Sequence, residues 1–159
     1  MIIGNALEIG VQLEYVVELG SPCGLFNFIL DDQLIPGKGT VTDLFVVISS
    51  LKESLKSQLL DGVDDIGNIP LEKMDFSDGA PENVVWLDTC ELSDYGCVFW
   101  LAFDGDFDRF FYSVDFEKTI QEKRFPRGTI ENLINNLPDP NRLKIDFINK
   151  NLLVTNVIN

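Results

Sequence analysis

The sequence predicts an α+β fold, with an antiparallel β-sheet, one long helix at about 41–59 and one short helix at about 129–137. Three patterns predict this fold. An early segment alternates apolar and polar side chains, the following segment carries apolar residues at helical spacing, and two aromatic runs flank an Asp-Gly turn. At 159 residues, the chain is expected to form a single globular domain over 1–159.

The first half of the chain predicts two strands and then the long helix. EIGVQLEYVVE at 8–18 has the period of two that a half-buried strand requires, and CGLFNFIL at 23–30 follows as a second strand. DDQLIPGKG at 31–39 is rich in turn residues. Thr40 is predicted to cap the long helix, because Asp43 stands three residues later as in a capping box.

The second half begins with an irregular connection at 60–83. A connection of this length in a compact domain is usually functional or disordered. VVWLD at 84–88 is a short predicted strand, and 117–127 reads as the irregular end of a later strand. Thr129 is predicted to cap the short helix, and RLKIDFI and NLLVTNVI form one or two closing strands.

The stretch AFDGDFDRFF at 102–111 can be interpreted as a calcium loop or as an acidic hairpin tip. Asp104, Asp106 and Asp108 stand at alternate positions, as calcium ligands do. A calcium loop needs Gly at its sixth position, but this sequence has Arg109 there. Its flanks are β-prone aromatics instead of helices. We therefore predict a hairpin and no metal site.

In this hairpin, Asp104 and Gly105 are predicted to be the two central residues of a type I′ turn. That register places Ala102 opposite Phe107. Further from the tip, both faces of the hairpin carry apolar side chains. Either both faces are covered by other segments, or one of them is an exposed binding surface.

Composition excludes several classes of chemistry. The chain contains no His, which excludes Ser-His-Asp and Cys-His catalysis and His-ligated zinc. Cys23, Cys90 and Cys97 are odd in number and form no C-x-x-C pair, so neither a disulfide framework nor a zinc site is predicted. We therefore predict no catalytic residue, no cofactor and no enzyme activity. A hydrolase that uses a carboxylate pair is one alternative.

No targeting segment is predicted. The N-terminal MIIGNALEIG lacks the basic and apolar regions of a signal peptide. No apolar run reaches the roughly 20 residues that span a membrane. These patterns predict a cytoplasmic protein that has no membrane partner.

Negative charge is concentrated in the middle of the chain. The formal net charge is −14, of which 1–56 contribute −4, 57–108 contribute −12 and 109–159 contribute +2. Crowded carboxylates repel one another and oppose folding. Either this region is a solvated acidic face, or it binds a basic protein. Nucleic acids are excluded as partners, because they are anions too.

The predicted contact surface combines carboxylates that steer a partner with aromatic side chains that anchor it. Each of the aromatic residues can instead belong to the core. The predicted contact residues are Asp61, Asp64, Asp65, Asp75, Phe76, Asp78, Glu82, Trp86, Asp88, Glu91, Asp94, Tyr95, Asp104, Asp106 and Asp108.

Several stretches resemble one protein family. MIIGN, a strand that contains QLEY, then LFNFIL and GTVTDLFVVISSLKESL resemble the opening of the immunity protein 42 family of bacterial polymorphic toxin systems. RFPRGTIENLINNL resembles the later turn and short helix of that family. The tryptophan that is usual in the family corresponds to Trp86 or to Trp100.

The resemblance implies a non-catalytic protein that binds a cognate toxin domain, including toxins of contact-dependent growth inhibition systems. The acidic composition is consistent with a basic, nuclease-type toxin whose active site is occluded by a monomer in a 1:1 complex. The alternative is a generic acidic interaction or regulatory module, such as an inhibitor that mimics nucleic acid.

Overall fold

A computed structural model describes residues 1–15, 22–37, 39–142, 144–148 and 151–155. Within these ranges it contains antiparallel sheets, one long helix and one short helix, which confirms the α+β prediction. Its contacts divide the chain into two compact units. We call Met1–Ser49 with Asn136–Asn159 unit 1, and Ser50–Asn135 unit 2. The prediction of a single domain over 1–159 stays a prediction.

Unit 1 contains an antiparallel sheet in the order β1-β2-β3-β4, with β5 also paired to β3. The strands are β1 (Ile2–Asn5), β2 (Ile9–Tyr15), β3 (Cys23–Leu30), β4 (Gln33–Ile35) and β5 (Val41–Asp43). The alternation in β2 buries Ile9, Val11 and Leu13, as the period of two predicts. The predicted continuation of this strand at 16–18 lies outside the described residues. β1, β4 and β5 were not predicted, because each has only three or four residues.

The C-terminal part of unit 1 forms a hairpin. β10 (Lys144–Ile148) pairs with β11 (Asn151–Thr155) in an antiparallel ladder. The sequence left open whether this region forms one strand or two, and the structure has two. The last residues of the predicted closing strand, 156–158, lie outside the described residues.

The long helix α1 comprises Leu44–Leu60, so it begins three residues later than predicted. Its cap is Asp43 and not Thr40. The backbone N–H groups of Phe45 and Val46 donate to Asp43 Oδ1 at 2.9 and 3.2 Å. The capping prediction was wrong because 41–43 is extended as β5 and pairs with β3.

Unit 2 contains a four-stranded antiparallel sheet in the order β6-β7-β8-β9. Its strands are β6 (Val85–Leu87), β7 (Val98–Asp104), β8 (Phe107–Ser113) and β9 (Gln121–Pro126). β6 and the β7–β8 hairpin confirm the predicted strands. β9 is a full edge strand in the region that was predicted to be an irregular end.

The register of the β7–β8 hairpin differs from the prediction by two residues. Asp104 pairs with Phe107 and Ala102 with Arg109, so Gly105 and Asp106 are the central turn residues. The prediction was wrong because Asp104 is the last paired residue of β7, so the two-residue turn begins at Gly105, one residue later than predicted. Since side chains alternate with a period of two, a shift of two leaves each of them on its predicted face.

Both faces of this sheet are covered by other segments of unit 2. On one face, Phe76 and Val84 from the 61–84 connection form a core cluster with Trp100 and Phe111. The rings of Phe76 and Trp100 are 5.0 Å apart between centroids. The opposite face packs against the short helix α2 (Thr129–Asn135). The sheet is therefore a covered core and not an exposed binding face.

No helix within the described ranges is long and apolar enough to cross a membrane.

Candidate functional site

A buried arginine attaches the acidic connection of unit 2 to the sheet. Arg109, on β8, is fully buried, and its Nε and Nη2 donate to the two carboxylate oxygens of Glu122 on β9 at 2.8 and 2.9 Å. Its Nη1 donates to the carbonyl oxygen of Gly67 at 2.9 Å. Charge-assisted bonds of this kind are stronger than neutral ones. They hold the middle of the connection in place.

Glu122 is partly buried between two arginines. Burial acts to raise the pKa of its carboxyl, but the hydrogen bonds and charges of Arg109 and Arg124 outweigh burial and lower the pKa below its ordinary value. Glu122 therefore remains ionised in the folded protein at neutral pH.

Two exposed arginines of unit 2 neutralise predicted contact residues. Arg124 Nη1 donates to Asp104 Oδ2 at 2.8 Å, and Arg127 Nη1 donates to Asp65 Oδ1 at 2.7 Å. The Arg127 hydrogen bond lowers the pKa of Asp65. Arg124 Nη2 also donates to Asn68 at 2.6 Å. These bonds join the connection to the hairpin tip, so Asp65 and Asp104 already have cationic partners within the chain.

Asp108 is buried instead of exposed. Its two carboxylate oxygens accept hydrogen bonds from the backbone N–H groups of Gly128 at 3.0 Å and Ile130 at 2.8 Å, at the beginning of α2. Asp108 therefore caps the helix that Thr129 was predicted to cap. Burial raises the pKa of its carboxyl, although the hydrogen bonds oppose this. Asp108 is not available on the surface as a contact residue.

Phe76 and Asp75 are adjacent but differ in environment. Phe76 is buried in the core cluster, so it anchors the connection and not a partner. Asp75 is exposed, and its Oδ1 accepts hydrogen bonds from the backbone N–H and hydroxyl of Ser77 at 2.9 and 2.7 Å. These bonds lower the pKa of Asp75.

Trp86 lies on the edge strand β6 and is 45% exposed. Its backbone is held by Gln58 of α1. The Gln58 amide donates to the Trp86 carbonyl at 2.7 Å and accepts from the Trp86 N–H at 2.9 Å. This contact satisfies the outward hydrogen-bonding groups of an edge strand. The indole is therefore presented on a fixed backbone.

A cavity of about 430 Å³ opens beside Trp86 in unit 2, and we call it the Trp86 cavity. It contains apolar, thiol and acidic groups. Residues that define it are Trp86, Val98, Trp100, Asp88, Cys90 and Glu117. Trp86 and Asp88 were predicted contact residues, and the structure brings them together.

The groups around Cys90 create a negative field in this cavity. Slight burial raises the pKa of the largely exposed Cys90 thiol, and the charges of Asp88, Glu91 and Asp94 raise this pKa further. Glu91, Asp94 and the half-buried Tyr95 belong to the 3₁₀ turn Cys90–Tyr95, which begins at a wall of the cavity. Glu91 and Asp94 therefore lie close enough to Cys90 for their charges to act on it, although neither they nor Tyr95 line the cavity.

One turn at the cavity was missed by the sequence patterns. Phe116 is 64% exposed, and Phe116 and Glu117 both have positive φ angles, of 61° and 62°. Asp115 Oδ1 accepts a hydrogen bond from the Ser113 hydroxyl at 2.8 Å and fixes the turn. Ser113 and Asp115 are turn residues, but no Gly or Asn stands at the left-handed pair itself, so the sequence does not predict the positive φ angles there.

The other predicted carboxylates are exposed and have no ion pair with a described Lys or Arg. They are Asp61, Asp64, Asp78, Glu82, Asp94 and Asp106. No group of three or more Cys, Asp or Glu in the described residues has the arrangement of a metal site.

A second cavity in unit 2, of about 390 Å³, has a different character. Lys52 and Lys56 of α1 line it with Leu59, Leu60 and Glu131. The two lysines make it unsuitable for a basic partner. Of the two cavities, the Trp86 cavity is therefore the one that suits a basic partner, because Asp88 and Glu117 line it and no described Lys or Arg does.

An α+β scaffold that presents exposed carboxylates around a cavity with a tryptophan wall has the features of a protein-binding module. The family model for immunity protein 42 matches residues 1–140, and the chain belongs to this family. The match extends beyond the stretches that carry the sequence resemblance. Immunity proteins are inhibitors, and membership supports a toxin-neutralising function.

The fold is similar to that of a solved structure. The crystal structure of CdiI from Burkholderia dolosa AUO158 matches with a TM-score of 0.59 and 14% sequence identity, over 86% of this chain and 97% of that chain. At this identity the likeness concerns the fold. No curated protein matches the sequence.

Proposed function

We propose that this protein neutralises a cognate toxin by binding a basic domain of that toxin through the acidic surface of unit 2. The family membership supports toxin neutralisation. The observation that carries the rest is the set of exposed carboxylates of unit 2 that have no ion pair with a described Lys or Arg, namely Asp61, Asp64, Asp78, Glu82, Asp94 and Asp106. Charge of one sign on a surface speeds the association of a partner of opposite sign.

The proposed mechanism is occlusion. A nuclease-type toxin binds phosphates with Lys and Arg, and the carboxylates of this protein pair with those same side chains. Asp64, Asp78 and Asp94 are exposed and suited to this pairing. The bound monomer then excludes nucleic acid from the active site of the toxin in a 1:1 complex. This protection takes place in the cytoplasm of the producing cell.

The salt dependence of binding tests this proposal. The toxin domain from the native host is titrated with the protein between about 0.05 and about 0.5 M salt, where the Debye length becomes short. We expect the association rate constant to fall at least about tenfold, while the dissociation rate constant changes less. Equal association rates at both salt concentrations would contradict electrostatic steering.

A matched pair of variants locates the charge effect. Asp78→Asn with Asp94→Asn removes two exposed charges from unit 2, and Glu8→Gln with Asp32→Asn removes two exposed charges from unit 1. We expect slower association and weaker protection of cells for the unit 2 variant only. If both variants behave alike, the acidic surface of unit 2 has no specific role.

A further inference from the structure

The geometry points to the Trp86 cavity as the pocket for one arginine side chain on a loop of the toxin. This inference rests on the proposed function and deepens it, because it names an anchor site for the bound toxin. The occupant is a basic segment of a protein partner.

The first argument is shape. The cavity of about 430 Å³ is in the range of ligand pockets and is larger than a single side chain, so it admits a side chain together with part of a loop. Trp86, Val98 and Trp100 supply apolar surface for the methylene stem of an arginine. Trp86 is 45% exposed, so its indole is accessible to an entering side chain.

The second argument is charge. Asp88 and Glu117 are on the lining, and none of the described lining residues is Lys or Arg. The raised pKa of the Cys90 thiol, to which Asp88, Glu91 and Asp94 contribute after burial, is consistent with the same negative field. A neutral or acidic side chain gains nothing from this field, whereas a cation is attracted.

The third argument is the chemistry of the side chain. A guanidinium is planar, stacks on an indole face and donates two parallel hydrogen bonds to a carboxylate. Trp86 with Asp88 or Glu117 offers both kinds of contact. An ammonium group lacks the plane and the fork, so arginine fits this combination better than lysine.

The fourth argument is that three internal contacts fix the walls. Gln58 holds the backbone of Trp86, and Asp88 Oδ1 accepts from the Cys90 N–H at 2.8 Å. The Ser113 hydroxyl accepts from the Glu117 N–H at 3.0 Å. A pocket that is already ordered loses little conformational entropy when a side chain enters.

The test uses two variants that change the pocket in different ways. Trp86→Ala removes the stacking wall. Asp88→Asn with Glu117→Gln removes both charges, while the Asn oxygen still accepts from the Cys90 N–H. We expect each variant to weaken toxin binding at least about 30-fold, as loss of a central interface residue does. Glu8→Gln with Asp32→Asn, which removes the same charge from unit 1, is expected to retain wild-type affinity.

A second readout uses a native thiol. Cys90 lines the cavity and is exposed, so its alkylation by a small reagent reports access to the pocket. We expect bound toxin to slow the alkylation of Cys90 at least about tenfold, that is, by one decade in rate or more. The toxin's arginines are then replaced by lysine one at a time. We expect only one of these replacements to restore fast alkylation of Cys90 in the complex.

The outcomes separate the two proposals. If the wild-type protein does not bind the toxin, the proposed function fails. If it binds, but Trp86→Ala and the double variant bind equally well and Cys90 reacts at the free rate, the arginine pocket is refuted while the proposed function stands. If Trp86→Ala does not fold, the double variant and the alkylation assay still show whether an arginine of the toxin occupies the Trp86 cavity.

Discussion

At the scale of single residues, the buried charge of Arg109 depends on Glu122. Replacing Glu122 by Gln leaves a fully buried guanidinium without its carboxylate. We expect this variant to lose about 3 kcal/mol of unfolding free energy at neutral pH. Urea unfolding measures the loss, and Glu53→Gln, at an exposed position of α1, is the control that should change little.

The pH dependence of this loss follows from the lowered pKa of Glu122. A carboxyl whose folded-state pKa is below its ordinary value of 4.5 stabilises the fold above that value. The stabilisation disappears as the pH falls through the lowered folded-state pKa. The stability difference between wild type and Glu122→Gln is therefore expected to shrink in acid. A difference that does not change with pH would show that the lost interaction is not ionic.

Asp108 is the second residue whose charge acts inside the fold. In Asp108→Asn, one of the two acceptors becomes an amide N–H₂ that faces a backbone N–H at the beginning of α2. We expect a loss of about 2 kcal/mol in urea unfolding. Asp106→Asn, two residues earlier and exposed, is the matched control. Equal stability of the two variants would contradict the capping role of Asp108.

At the scale of elements, the contact between α1 and β6 depends on Gln58. Gln58→Met keeps the length of the side chain but removes both hydrogen bonds to Trp86. We expect the variant to lose about 1–2 kcal/mol and the amide proton of Trp86 to exchange faster with solvent. Lys56→Met on the same helix should leave this exchange unchanged. If the Trp86 amide proton exchanges with solvent as slowly in Gln58→Met as in wild type, the contact between Gln58 and Trp86 is refuted.

The helices and strands also show which features local sequence patterns do not predict. The helix period identified α1, but both Thr40 and Asp43 suit a cap, and the pairing of β5 with β3 selected Asp43. The Asp-Gly pair identified the β7–β8 hairpin, but its register depended on whether Asp104 belongs to the turn or to the strand, and Asp104 pairs with Phe107. Periodicity depends on local sequence, whereas caps and registers depend on partners that are distant in sequence.

At the scale of the whole molecule, charges that are segregated along the sequence meet in space. Arg124 and Arg127 belong to the C-terminal third of the chain, which has a net charge of +2, and they pair with Asp104 and Asp65 of the middle third. Part of the excess negative charge is therefore neutralised internally. The crowded carboxylates of the middle third do not all require a partner.

This pairing predicts that two arginines keep the acidic connection ordered. In Arg124→Gln with Arg127→Gln, the bonds to Asn68 and Asp65 are lost. Single surface ion pairs contribute little, but several that act together order a segment. We expect thermolysin to cleave the connection between 61 and 69 faster than in wild type. Lys56→Gln with Lys73→Gln removes the same charge and should not change cleavage, and equal cleavage of both variants would contradict the role of the arginines.

The candidate site was predictable in part. The sequence identified Trp86 and Asp88, because an aromatic residue within an acidic segment is a local feature. It also included Asp65, Asp104, Asp108 and Phe76, which the fold uses internally. It missed Phe116, Cys90 and Glu117. Whether a carboxylate is exposed depends on residues that fold next to it, and Arg127 is 62 positions away from Asp65.

The sequence by itself determined the α+β class, the main strands and helices, the absence of histidine chemistry and the family of this protein. The first three properties follow from composition and from periods of two and 3.6 residues, which neighbouring residues set. The family follows from the resemblance of particular stretches of the chain. Only the tertiary structure decided which carboxylates are neutralised, which are buried and which surround the Trp86 cavity. Those properties depend on distance in space, and a one-dimensional pattern of charge does not contain that distance.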